Sequence, residues 1–415
     1  MNYYFRCIDC GKEYDGNELE YVCPKCSSAQ KRMEPTKGVL EVLFDYKKLR
    51  KPVLPLKDLS LLPPLKVGPT PLYKDTRLAE GLGFKNLYIK DDTGLPTGSY
   101  KDRASSFVVA KARELRKNVI VCASTGNAAT ALSGMCASVG LNCVIFVPSS
   151  APAAKLTQIA IYGANLIPIK GTYDDAFELS LAATREFGWY NRNTAYNPFT
   201  IEGKKSAALE IFDQLGSKAP DKVFIPTGDG VILAGIYKGF KDLKEIGLID
   251  KIPQLIAVQA EGSAVITGFY NSLILSLSKD GGAVAHGSSF DRLTMSSPRA
   301  DCHTIADSIC VSAPRNASWA VKILKETKGR CVTVTDDEIL SAMKRLGSLT
   351  GIFAEPAAAA SAAGFFKIAE ELDPKERIVL LITGNGLKDI PAAQQTIRTI
   401  SPIEPDIKEL RKIFK

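Results

Sequence analysis

The absences in this 415-residue chain narrow the field first. No apolar run approaches the roughly 20 residues needed to cross a bilayer, which sets aside an integral membrane protein and membrane partners. Met1 to Arg6 offers no basic segment followed by an apolar stretch, so a signal peptide is not expected and the cytoplasm is the expected location. Histidine is nearly missing: His286 and His303 are the only two. A histidine general base is therefore the weaker account of any catalysis, and both residues read as structural. No block of like charge is long enough for a nucleic-acid arm. The net charge of +8 arises from 53 basic residues scattered among 45 acidic ones, which describes a mildly basic solvated surface.

A disulfide framework is not expected either. Of ten cysteines, four form two C-x-x-C pairs and six are dispersed among apolar or mixed segments. Cys122, Cys136 and Cys143 look like small buried residues. The length exceeds what one hydrophobic core supports, so two sizeable lobes with a cleft, and a small appendage, are expected.

That appendage is visible at the start. Cys7-Ile-Asp-Cys10 and Cys23-Pro-Lys-Cys26 have the spacing of a zinc ribbon, in which two knuckles bring four thiolates to one structural zinc. Four protein ligands leave no open coordination position, so a catalytic zinc is not expected.

From Asp58 to Pro71 the chain is rich in proline and leucine and reads as an extended lead-in. Beyond it, short apolar segments alternate with longer helical patterns. The clearest strands are Leu87–Lys90, Val119–Cys122, Cys143–Val147, Val223–Ile225, Leu255–Val258 and Ile378–Ile382. The alternation predicts an α/β architecture with parallel-rich sheets. Thr335 and Glu338 predict a capping box, Gly351 the end of the helix that follows, and Ala357–Ala363 a closely packed core helix.

The chemistry concentrates in glycine-containing turns. In Gly94-Leu-Pro-Thr-Gly-Ser-Tyr-Lys-Asp-Arg103, Ser99 and Asp102 predict a capping box that places Lys101 in the first turn of a helix. The positive end of the helix dipole disfavours an ammonium there, which makes Lys101 a candidate amine nucleophile. Ser124-Thr-Gly-Asn127 follows one strand and opens a helix, a ready site for an anion such as a substrate carboxylate. Thr227-Gly-Asp-Gly230 and Thr383-Gly-Asn-Gly386 repeat the design. Each turn alone is a weak signal; together with Lys101 they point to one ligand site at the carboxyl ends of parallel strands.

These stretches, with Asn197-Pro-Phe-Thr-Ile-Glu-Gly203 and Gly351-Ile-Phe-Ala-Glu-Pro356, resemble the threonine synthase family, from the ribbon to about Pro391. Those are pyridoxal-phosphate enzymes of the tryptophan-synthase β-subunit fold type. The resemblance implies a two-lobed fold-type II enzyme. Its parts would be a zinc ribbon over 1–35, a large cofactor-binding domain from 36–95 and 196–400, a small mobile domain over 96–195, and a tail over 401–415.

It further implies that Lys101 carries pyridoxal phosphate as a Schiff base and shuttles protons, and that Asn127 meets the cofactor's phenolic oxygen. Thr383 would face the ring nitrogen, and Gly228, Asp229 and Gly230 would cradle the cofactor phosphate. Ser124 and Thr125 would hold the substrate carboxylate, with Ser99, Lys155 and Lys204 also on the substrate side. A homodimer and a small amino-acid substrate are expected. The implied reaction converts O-phosphohomoserine and water to threonine and phosphate.

Three departures bear on the substrate. The family's arginine in Asn-Pro-x-Arg-x-Glu-Gly-Gln is Thr200 here, and its glutamine is Lys204. A threonine cannot replace a guanidinium fork on a phosphate, and Lys204 returns one charge about one turn later. Asp229 in the phosphate loop repels a phosphate unless turned outward. Ser149-Ser-Ala-Pro152 lacks an acid-glycine-lysine pattern, although Lys155 is kept. Other chemistry on the same cofactor therefore stays open: β-replacement on a serine derivative such as O-phosphoserine, or threonine or serine ammonia-lyase activity. A ribbon binding module with a silent body is a further alternative. Lys101, Asn127 and Thr383 speak against it, as does the absence of aromatic-basic interleaving near the ribbon.

Overall fold

The computed structural model describes residues 2–75, 77–151, 153–279, 302–397 and 401–413, without the side chains of 153–155 and 276–279. His286 lies outside the described residues.

The cysteine segment builds a three-stranded antiparallel sheet from β1 (Tyr3–Cys7), β2 (Glu13–Asp15) and β3 (Leu40–Phe44), ordered β2-β1-β3. β4 (Leu72–Lys74) and β5 (Leu87–Asp91) begin a second sheet. The chain then leaves it to form a parallel four-stranded sheet from β6 (Val119–Ala123), β7 (Asn142–Pro148), β8 (Asn165–Ile169) and β9 (Tyr190–Asn191), ordered β8-β7-β6-β9. It returns with β10 (Lys222–Pro226), β11 (Gln254–Ala260), β12 (Arg330–Val334) and β13 (Ile378–Ile382). These complete a six-stranded sheet ordered β12-β11-β10-β13-β5-β4, parallel except for β4.

All six expected strands are present, each within an element at most two residues longer at either end. They were legible because strands covered on both faces are continuous apolar runs. β13 is buried along its whole length, and β10 and β11 are buried from their second residue on. β8, on the edge of its sheet, has only exposed and half-buried residues, and β4 and β9 are three and two residues long. Such segments leave too little pattern to be read locally.

The Thr335–Glu338 capping box forms in full, and Gly351 ends that helix in the left-handed conformation with φ 76°. Ala357–Ala363 lies in the buried helix Pro356–Ile368, beneath the large sheet. The box expected from Ser99 and Asp102 does not form. The lysine helix, Lys101–Glu114, has Tyr100 at its N-cap with no side-chain cap, and Asp102 reaches back to Thr97, accepting from its backbone N–H at 2.8 Å and its hydroxyl at 2.5 Å. Both groups lie within the turn that delivers the helix, so the carboxylate rigidifies the turn instead of the helix end. Cys302 and Cys310 are joined in a disulfide, a pair that spacing alone did not single out.

Candidate active site

Lys101 is the first residue of its helix, and two neighbours fix it there. Arg103, with no solvent exposure of its side chain, meets Asp92 at 2.6 Å and Glu210 at 2.6 Å, tying the helix start to the end of β5 and to the helix Ser206–Gln214. On the other side, Gly203 lets the short helix Phe199–Lys204 press against the lysine helix. A Cβ there would stand 2.2 Å from the Arg103 carbonyl oxygen.

The turn after β13 is stitched to the segment before the lysine. Tyr100 N–H donates to the Thr383 carbonyl at 2.8 Å, Asn385 N–H donates to the Gly98 carbonyl at 3.0 Å, and Ser99 bridges Gly384. Thr383, 6 % exposed, thereby lies beside the start of the lysine helix. Ser99 is fully buried, and its hydroxyl has no partner among the described residues. An orphaned buried hydroxyl beside a candidate amine is the mark of a site built for a ligand.

The Lys101 amine is held down to about 8, chiefly by burial, next by the positive Arg192, against the opposing pull of Asp229 and Glu355. Such an amine is largely neutral at mildly alkaline pH and is competent as a nucleophile and as a proton carrier. Asp229 belongs to the loop Gly228–Gly230, which follows β10 and opens the helix Val231–Glu245; Gly230 takes φ 83° at its N-cap. Asp229 does not face the loop's own amides. Its carboxylate accepts the backbone N–H of Arg315 at 3.0 Å and its carbonyl that of Asn316 at 3.1 Å, so a segment folded over the loop draws the charge aside.

Beside this group opens a cleft of about 680 Å³ whose wall includes Gly98, Thr125, Gly126, Asn127, Glu355 and Asn385. Lys101 is half-buried and is not part of that wall. Ser124 accepts the Gly126 N–H at 3.2 Å, and Asn127 starts the helix Asn127–Ala137. The Asn127 amide donates to the two oxygens of Glu355 at 2.9 and 3.1 Å and to the Ser308 hydroxyl at 3.1 Å. Burial pushes the Glu355 carboxyl up. In the sequence Glu355 stands out only as part of the stretch Gly351–Pro356. Its partner stands 228 positions earlier, and no local pattern announces that.

Lys204 is 1 % exposed, and among the described residues its ammonium nitrogen reaches only the Thr200 carbonyl of its own helix, at 3.3 Å. Its neighbour Lys205 behaves differently, pairing with Glu202 at 2.7 Å and Asp242 at 2.8 Å. Burial holds the Lys204 amine well below its ordinary value, as do the charges of Arg192 and Lys101. Arg192, which the sequence did not single out, is a third cation in this group. The side chain of Lys155 lies outside the described residues, and the exposed His303 is not part of the cleft wall.

In the ribbon, the sulfurs of Cys7, Cys10, Cys23 and Cys26 all lie within 4.8 Å of one another. Cys7 and Cys26 are 3.7 Å apart, and Cys10 and Cys23 3.8 Å. A tetrahedral zinc with Zn–S of about 2.3 Å sets its sulfurs about 3.8 Å apart, so the four thiols fit that ion.

A family model described as pyridoxal-phosphate dependent enzyme matches residues 64–384. The chain is 36% identical to a threonine synthase of Methanocaldococcus jannaschii, over 99% of both chains. It is 35% identical to one of Methanosarcina acetivorans, over 99% of this chain and 98% of that one. A Mycobacterium tuberculosis threonine synthase is 32% identical, over 82% of this chain and 87% of its own. Among solved structures, the processed form of threonine deaminase isoform 2 from Solanum lycopersicum superposes with TM-score 0.62 at 23% identity, covering 79% of this chain and 86% of its own. Maize serine racemase superposes with TM-score 0.61 at 20% identity, covering 83% and 94%. These two likenesses are of fold.

Proposed function

The chain belongs to the pyridoxal-phosphate-dependent enzymes, within the threonine synthases, and from that membership we propose how its own residues convert O-phosphohomoserine and water to threonine and phosphate. When bound, pyridoxal phosphate supplies an electron sink that acidifies hydrogens near the substrate's amino-bearing carbon. Lys101 Nζ would hold the cofactor and then carry protons, a task suited to an amine held down to about 8. The amides of Gly228–Gly230 would hold the cofactor phosphate, with Asp229 drawn towards Arg315. Asn127 would hold the phenolic oxygen and Thr383 the ring nitrogen. A neutral hydroxyl leaves that nitrogen less protonated than a carboxylate would, which suits elimination and replacement. Ser124 and Thr125 would receive the substrate carboxylate, with Ser99 also on the substrate side. In the net reaction, phosphate leaves the γ-carbon and the oxygen of water joins the β-carbon.

The observation that carries this division is the position of Lys101: first in its helix, stitched to the Thr383 turn, its amine lowered by burial. We also infer a structural zinc on the four ribbon cysteines, supported by their spacing in three dimensions. The inferred division into a large domain and a small mobile one is supported by the separate six- and four-stranded sheets. A homodimer rests on family resemblance.

The test offers O-phosphohomoserine, O-phosphoserine, threonine and serine in parallel, following phosphate and keto-acid release. Phosphate with threonine from the first substrate supports the assignment. Keto acid from threonine or serine, with no phosphate from O-phosphohomoserine, overturns it in favour of an ammonia-lyase.

A further inference from the structure

Thr200, in the Asn197–Gly203 stretch, carries no charge, so a phosphorylated substrate needs its cation from elsewhere. The chain's third dimension supplies one. Arg192 follows β9 directly and is anchored by its backbone N–H to the Val121 carbonyl of β6 at 2.9 Å. Its guanidinium Nε donates to the Ser105 hydroxyl at 3.2 Å. Ser105 lies four residues after Lys101 on the lysine helix, one turn on and on the same face.

We propose that Arg192 supplies the guanidinium that binds the phosphate of the substrate, taking over from a different strand the role that Thr200 cannot fill. The proposal rests on the reading of the site as one for O-phosphohomoserine. Arg192 is 1 % exposed, and among the described residues its Nη2 has no hydrogen-bond partner and no carboxylate forms an ion pair with it. A buried guanidinium without a counter-charge is costly, and a buried donor left unmade adds to the cost. A phosphate oxygen would meet both needs, and the guanidinium fork offers it paired donors. The effect of Arg192 on the Lys101 amine, second only to burial, agrees with a position near that amine.

Lys204 is less suited to that task. Its Cβ packs against Gly235, where an added Cβ would stand 2.4 Å from it, in the helix that opens from the Gly228–Gly230 loop. That packing ties its stem to the helix beside the loop rather than leaving it free to follow a substrate. Arg192, in contrast, is braced from the ribbon side. Asn191 N–H donates to the Tyr21 hydroxyl at 3.0 Å, Tyr21 stacks on Tyr196 at 4.6 Å, and Phe5 meets Phe199 at 5.8 Å.

The test uses holoenzyme, in which the cofactor phosphate site is filled, with inorganic phosphate as probe. Wild type, Arg192→Gln, Arg192→Lys and Lys204→Ala are compared by calorimetric titration, with cofactor content read from absorbance and the KM for O-phosphohomoserine measured alongside. Arg192→Gln should load cofactor normally, bind inorganic phosphate about 10- to 150-fold more weakly and raise KM in the same direction. Arg192→Lys should recover part of the affinity because it keeps the charge and loses the fork. If Arg192→Gln does not fold, an Arg192→Lys enzyme with wild-type phosphate affinity and KM overturns the proposal. So does undiminished affinity in Arg192→Gln, or wild-type holoenzyme that binds no phosphate. Phosphate bound through Arg192 by a wild type that releases none from O-phosphohomoserine would instead overturn the assigned reaction and leave the anion site standing.

Discussion

Asn127 and Glu355 close on each other in the wall of the cleft, the Asn127 amide reaching both carboxylate oxygens at 2.9 and 3.1 Å. One begins a helix of the four-stranded sheet, the other precedes a helix beneath the six-stranded sheet, so a single side-chain pair spans the two. Asn127→Ala should leave a buried carboxyl without its donor and destabilise the cofactor-free protein by about 1–3 kcal/mol. Asn127→Ala with Glu355→Ala should then lose less than the sum of the single changes. Denaturant unfolding of all four proteins measures the coupling, and strictly additive losses would show that the contact contributes nothing.

The lowered Lys101 amine has a definite pH signature. Protonated below about 8 and neutral above it, it should capture added pyridoxal phosphate at a rate that rises as pH rises through 8 and levels off beyond. Arg192→Gln removes a cation that opposes protonation, so the midpoint should move upward. Stopped-flow absorbance follows the capture. A rate that climbs into the ordinary lysine range without a plateau would contradict the perturbed amine. Lys101→Ala should show neither capture nor turnover while retaining its circular dichroism.

Arg103 holds the start of the lysine helix through Asp92 and Glu210. Removing one member of a buried pair strands the other charge, at a cost of about 3–5 kcal/mol. Arg103→Ala should lower unfolding stability by that amount and weaken cofactor retention, because the first turn loses its anchor. Unchanged unfolding in this variant would refute the anchoring role.

Metal-replete protein should contain one zinc per chain, bound by Cys7, Cys10, Cys23 and Cys26. Because ribbon residues Phe5 and Tyr21 brace the Asn191–Phe199 segment, chelation should lower the melting temperature and, with it, affinity for phosphate. Elemental analysis and thermal unfolding before and after chelation decide it. Turnover lost on chelation with stability untouched would mean a catalytic metal, and no zinc at all would remove the site.

The amino-acid sequence by itself determined the cysteine ribbon, the six strongest strands, the glycine turns that follow three of them, and a lysine at the first turn of a helix. All of these are local: a thiol spacing, an apolar run, a residue that tolerates a tight turn. Tertiary structure alone decided which side chains meet. Asp102 caps a preceding turn and leaves Ser99 without a partner among the described residues. Of two adjacent lysines, Lys205 forms ion pairs and, among the described residues, Lys204 forms none. Arg192 comes to Ser105 across 87 positions because the two-residue strand before it pairs with β6 beside the lysine helix. Sheet pairing and helix packing set such contacts, and since neither depends on the spacing between the residues that meet, they leave no periodic trace along the chain.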